Sequence, residues 1–112
     1  MTSDLKRTVR IRCETGPAGA EIAAQVVLAM ATRASITPLA ADRLRGDVAS
    51  ALRTCEVAVG VECATEDRAV TVAIDAPRPA LERMAAALEA HGPEALDGRL
   101  VMRVRRAHLR QV

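Results

Sequence analysis

The stretch PLAADRLRGDVASALRTCEVAVGVECATEDRAVTVAID, Pro38 to Asp75, contains both of the periodicities that separate helix from strand. In its first half Leu44, Val48, Ala51, Leu52 and Cys55 recur at the i, i+4, i+7, i+8 spacing of one apolar helix stripe. Thr37-Pro38 supplies a threonine cap and a first-turn proline, and Asp42 follows early enough to favour the helix dipole, so a helix is predicted over Pro38–Cys55. A second stripe, Arg43, Asp47, Ser50 and Thr54, lines an adjacent edge of that helix. From Glu56 the period drops to two: Val57, Val59, Val61 and Cys63 take one face, Thr65-Glu66-Asp67-Arg68 reads as a polar turn, and Val70, Val72 and Ile74 resume the alternation. The second strand stops at Asp75 because Pro77 and Pro79 cannot donate to a ladder. Small residues, Ala58, Gly60, Ala69 and Ala73, occupy the opposite face of this hairpin and would let something approach closely.

Toward the N-terminus, Val9, Ile11 and Cys13 alternate with Arg10, Arg12 and Glu14, the pattern of a half-buried strand. Thr15-Gly16-Pro17 then opens a helix in which Ile22, Val26, Val27 and Met30 recur at helical spacing to about Arg33, and Ala34-Ser35-Ile36 breaks it. Toward the C-terminus, Pro79 begins a third helix with Leu81, Met84, Ala85 and Leu88 on its apolar side, ending near His91-Gly92-Pro93 with a glycine C-cap. Beyond Asp97-Gly98, the residues Leu100, Met102 and Val104 fit a strand while Leu100, Val101, Val104 and His108 fit a helix; a strand followed by a tail is the preferred assignment. The order β-α-α-β-β-α-β implies an α/β (α+β) two-layer sandwich, with helices on one face of a mostly antiparallel sheet and one domain over residues 1–112.

Composition narrows the classes of function. Half of the 112 residues are apolar and 27% are charged, a globular balance, yet there is no Phe, Tyr or Trp, so aliphatic side chains and alanine must build the core. Cys13, Cys55 and Cys63 are odd in number, widely spaced and on core faces, which predicts buried free thiols rather than disulfides or a metal site. No long apolar run or signal core is seen, so no membrane partner and a cytoplasmic location are expected. His91 and His108 lack ligand spacing, Ser50 has no partner base, and no glycine-rich phosphate loop occurs, so no catalytic residue and no metal site are assigned. Residues 99–112 hold Arg99, Arg103, Arg105, Arg106 and Arg110 and no acid. That end could meet nucleic-acid phosphates or an acidic protein surface, but without aromatic side chains there is no base-stacking platform, and nucleic acid is the weaker expectation.

The run Asp42-Arg43-Leu44-Arg45-Gly46-Asp47-Val48-Ala49-Ser50, with Thr54 four residues on, and Asp75 at the end of the second hairpin strand resemble the small ATP-binding domains of the anti-sigma-factor kinase group, relatives of the histidine-kinase ATPase fold. The family's helix reads roughly E-R-L-R-L-A-V-S-E-x-x-x-N-A and its hairpin ends in D-x-G-x-G. Position by position, the resemblance puts the family's nucleophile-supporting glutamate on Ser50, its magnesium-binding asparagine on Thr54 and its adenine-binding aspartate on Asp75. Pro77 and Pro79 stand where its glycines follow, and Asp97-Gly98-Arg99-Leu100-Val101-Met102 resembles its G-R-G-L-x-x-V segment with one glycine missing. The resemblance implies a member that keeps the scaffold and has lost phosphoryl transfer, because that chemistry is mostly positioning and electrostatics around Mg²⁺. Ser50, Thr54, Asp75 and Gly98 are then the remnant nucleotide positions, with no cofactor expected and ATP with Mg²⁺ as the alternative.

The function expected is a non-catalytic regulatory or interaction protein of bacterial signalling or transcription control. Its partner would be a protein, a sigma factor or an anti-sigma antagonist, bound through Arg43, Asp47, Arg103, Arg105 and Arg106. Homodimerisation through an exposed edge strand is a further expectation. The alternatives are an ATP-binding serine kinase or weak ATPase, and a nucleic-acid accessory protein using the arginine-rich end.

Overall fold

A computed structural model describes residues 7–14, 16–66, 69–88, 94–96 and 99–105. The elements are β1 (Arg7–Cys13), α1 (Pro17–Arg33), α2 (Pro38–Arg53), β2 (Val59–Glu66), β3 (Ala69–Asp75), α3 (Arg78–Ala87), β4 (Glu94–Leu96) and β5 (Arg99–Arg105). The sheet runs in the order β1-β2-β3-β5-β4 and every pairing is antiparallel. The architecture is the two-layer α/β sandwich expected, with the last long segment a strand and one short strand, β4, that no sequence pattern announced. Glu66 pairs with Ala69, so the β2–β3 turn is tighter than the four-residue turn expected.

Alternation decides which side of the sheet the helices cover. Val59, Val61 and Cys63 of β2, Val70, Val72 and Ile74 of β3, and Leu100 and Met102 of β5 face inward and are buried. Against them α1 sets Ala20, Ala23, Ala24, Val27, Met30 and Ala31, and α2 sets Ala41, Leu44, Val48, Ala49, Ala51 and Leu52. Small side chains bring α1 close to the preceding strand: a Cβ at Gly19 would collide with the Glu14 carbonyl oxygen. Gly16, at φ 103°, makes the turn into α1 in a conformation that a side chain resists.

The connector between α1 and α2 is a Schellman turn. Ser35 adopts φ 63°, its N–H donates to the Thr32 carbonyl at 3.1 Å, and the Ile36 N–H donates to the Ala31 carbonyl at 3.1 Å. Ile36 is buried, closing the turn over apolar surface, and Thr37 Oγ1 then accepts the Ala40 N–H at 3.3 Å to cap α2. Glu21 of α1 lies 3.8 Å from Arg45 and 3.6 Å from Arg53, tying the helices together on their wet side.

Several sequence expectations are corrected. Ile22 of the predicted α1 stripe is 63% exposed, because alanines at 20, 23, 24 and 31 define the packed face. Strand β2 begins at Val59, leaving Val57 outside it and 45% exposed. Helix α2 ends at Arg53, with Thr54 as C-cap, and Cys55 is buried beyond the helix rather than in it. Asp42 lies past the first turn, where Arg45 Nε donates to it at 3.0 Å. Helix α3 is capped by Leu88, short of the expected glycine; His91, Gly92 and Pro93, like His108, lie outside the described residues.

Candidate functional site

Among the described residues nothing covers the face of the sheet opposite the helices, and strand register assembles this bare face. Arg10 and Arg12 of β1, Gly60 and Glu62 of β2, Thr71, Ala73 and Asp75 of β3, and Arg99, Val101, Arg103 and Arg105 of β5 all project to this side. Arg10 lies opposite Glu62, Glu62 opposite Ala73, and Ala73 opposite Val101; one rung along, Arg12, Gly60, Asp75 and Arg99 are opposed in turn. A floor of small residues is therefore flanked by arginines on β1 and β5.

Within that face one arginine holds two carboxylates. Arg99 Nε donates to Asp75 Oδ1 at 2.7 Å and its Nη2 to Asp75 Oδ2 at 3.2 Å, a bidentate fork, while Nη2 also donates to Glu62 Oε1 at 3.0 Å. Arg10 Nε approaches the same Glu62 oxygen at 3.6 Å. The hydrogen bonds from Arg99 hold both the Asp75 and the Glu62 carboxyls below their ordinary range, and the two carboxylates in turn raise Arg99 further above its own. Asp75 at neutral pH is thus an ionised, occupied acceptor.

The positions that the resemblance assigned to a nucleotide do not share one face of the sheet. Asp75 sits on the bare face, whereas Ser50 and Thr54 belong to α2, in the layer covering the other face. Ser50 is exposed; Thr54 donates its hydroxyl to the Ala51 carbonyl at 2.7 Å, closing the helix end. Helix α3 packs against the same end of α2, with Met84 Sδ 3.7 Å from Cys55 Sγ. Gly98 lies outside the described residues, as does Arg106. Arg43 is exposed on α2 and Asp47 half-buried, while Arg103 and Arg105 are exposed on the bare sheet face, so the four partner-binding candidates among the described residues fall on two surfaces.

A shallow cleft of about 340 Å³ opens at the β1–β2 side of that face, lined by Arg10, Ile11, Arg12, Ala58, Val59, Gly60 and Asp75. It adjoins the arginine–carboxylate cluster and has a cationic rim and one acidic wall. The cysteines contribute no reactive group: burial pushes the Cys63 thiol up to about 11 and raises those of Cys13 and Cys55, and all three are free. Among the described residues no group of His, Cys, Asp and Glu is placed to hold a metal ion, and no helix is long and apolar enough to cross a membrane.

Sequence inspection singled out Asp75 and missed the rest of the cluster: Arg99, which binds it, and Glu62 and Arg10, linked to it through Arg99. The signal was present in part, since alternation puts Glu62 on the same side as the small residues of the hairpin. What brings Arg99 to Asp75 is the β3–β5 register, set across a helix and a short strand with no turn motif to count from. The chain matches no protein-family model and no curated protein.

Proposed function

We propose that this chain is a non-catalytic protein-binding module, acting in cytoplasmic signalling or transcription control in bacteria, on a scaffold of the histidine-kinase ATPase type whose nucleotide chemistry has been lost. The observation that supports this most is the state of Asp75. An aspartate that reads an adenine amino group in the manner the resemblance implies would share a pocket with the α2 positions, and here Asp75 is held by a bidentate Arg99 on the side of the sheet away from Ser50 and Thr54. With serine and threonine at the positions of the general base and the metal ligand, there is no carboxylate to position a nucleophile there.

What remains is a basic, flat surface. Among the described residues Arg103 and Arg105 have no carboxylate partner, and with Arg10 and Arg12 they give the bare face a cationic border suited to an acidic protein surface. A sigma factor or an anti-sigma antagonist is the partner class that the resemblance implies.

The test pairs two measurements. Calorimetry should detect no binding of ATP with Mg²⁺ at millimolar nucleotide, and a partner recovered by affinity purification and then purified should lose affinity to charge reversal in the cationic border, at Arg103 and Arg105 or at Arg10 and Arg12. Nucleotide binding that Asp75→Ala abolishes would overturn the proposal, as would a partner indifferent to reversal of all four arginines.

A further inference from the structure

The sheet has two unlike edges. Strand β4 closes one with three residues, whereas β1 forms the other with seven, paired to β2 without interruption from Arg7↔Thr65 to Cys13↔Val59. Among the described residues nothing lies on the free side of β1, and it contains neither a proline nor a bulge, two of the devices that normally blunt an edge. Its alternate backbone N–H and C=O groups on that side are therefore available to another strand.

The side chains of β1 specify what that strand should be. On the bare face Arg10 and Arg12 are 81% and 79% exposed, and their carboxylate neighbours, Glu62 at 3.6 Å and Glu14 at 3.3 Å, leave most guanidinium donors open. On the helix face the cover runs out: Cys13 is buried, Ile11 half-buried and Val9 38% exposed. A strand alongside would meet positive charge on one side and an apolar lip on the other. An antiparallel second copy centred on Arg10, Ile11 or Arg12 would set arginine against arginine, and like charges directly opposite destabilise a strand pair. Those three registers disfavour a second copy, whereas an acidic sequence would meet opposite charge in each of them.

We propose that β1 is a docking edge for an extended, acidic segment of a protein partner, which adds to the sheet beside Arg7–Cys13 with its carboxylates toward Arg10 and Arg12 and its apolar side chains against Val9 and Ile11. This rests on the protein-binding role above and names a site for it other than Arg103 and Arg105. Main-chain hydrogen bonds supply affinity and the alternating side chains supply selection, as in other cases of strand addition.

The probe is a short synthetic peptide of alternating glutamate and valine, added to the isotope-labelled full chain. Amide shifts should change along β1, and hydrogen exchange of its outward N–H groups should slow. N-methylation of alternate peptide residues should abolish binding in one frame and spare it in the other, because only one frame faces the edge. Arg10→Glu/Arg12→Glu should weaken binding by about tenfold or more, with Arg10→Gln/Arg12→Gln in reserve if the reversal unfolds the chain. No binding of the parent peptide, equal binding of both N-methylated frames, or shifts confined to Arg103 and Arg105 would each overturn the docking edge. If a purified partner still binds through Arg103 and Arg105 in any of those cases, the protein-binding role survives; loss of both overturns that role as well.

Discussion

The two faces of one sheet are built from the same strands and obey opposite rules. On the helix side Val70, Val72 and Ile74 of β3 are completely buried, and shape is everything, because each lost methylene leaves space that rigid neighbours do not fill. On the bare side Thr71 and Asp75, in the same strand, are half-buried and exposed, and specific charges matter more than volume. Ala73 is the intermediate case: it faces the bare side yet is only 6% exposed, because β2 and β5 flank it, so burial there comes from the sheet itself. Stability is thus concentrated in one face, and the other carries the charges.

The largest expected effect tests that division directly. Ile74→Ala should cost about 2–5 kcal/mol of unfolding free energy, whereas Thr71→Ala, on the bare face, should cost no more than about 1 kcal/mol, the loss of strand preference alone. Denaturant titration followed by far-ultraviolet circular dichroism, the appropriate probe for a chain without aromatics, measures both. A costly Thr71→Ala would mean that the bare face is covered in solution.

Two glycines sharpen the contrast on the helix side. Gly19→Ala should destabilise by about 1–3 kcal/mol through overpacking, since its Cβ has nowhere to go but into the Glu14 carbonyl. Gly46→Ala, in the middle of α2 with open space around the new methyl, should stabilise by about 0.5–1 kcal/mol. Equal effects at the two positions would show that α1 does not approach the sheet as closely as described.

The smallest effect lies on the bare face and depends on pH. Asp75 and Glu62 have depressed pKa values in the folded state, so whatever stability Arg99 lends them is fully present above the ordinary carboxylate range and is lost as pH falls through the depressed values. Arg99→Met should therefore lower the melting temperature slightly at pH 7, and the difference from the parent should shrink once pH falls below about 4 and vanish when both depressed carboxyls are protonated. A difference that persists at pH 2 would assign the loss to packing of the arginine stem instead.

Much of the helix-covered face was legible in the residues. Leu44, Val48, Ala51 and Leu52 could be placed by spacing, and Val59, Val61, Val70 and Val72 by alternation, because burial imposes a period on large aliphatic side chains. The errors there have one cause. In α1 the packed face is alanine, which carries little hydropathy contrast, so the larger Ile22 was taken as its marker and proved exposed. Val57 continued an alternation that the chain abandons before β2 begins. On the bare face Asp75 was noticed and its partners were not, since Arg99 reaches it from 24 residues away across a register that no local motif encodes. Charges reveal their role only once strands are paired, and pairing is a long-range property.

The register of β1 has a kinetic consequence. Cys13 pairs with Val59, and the entire α1–α2 hairpin lies between them, while β2 and β3 meet at Glu66 and Ala69, close neighbours in sequence. The helical pair and the β2–β3 hairpin can each form from near neighbours, but β1 must close a long loop before any contact rewards it. It should be the last strand to arrive in folding and the first to leave. An added strand on its free side would then act as a clasp, slowing the opening of the domain, so that occupancy could be read as a longer native lifetime even where the melting point barely moves.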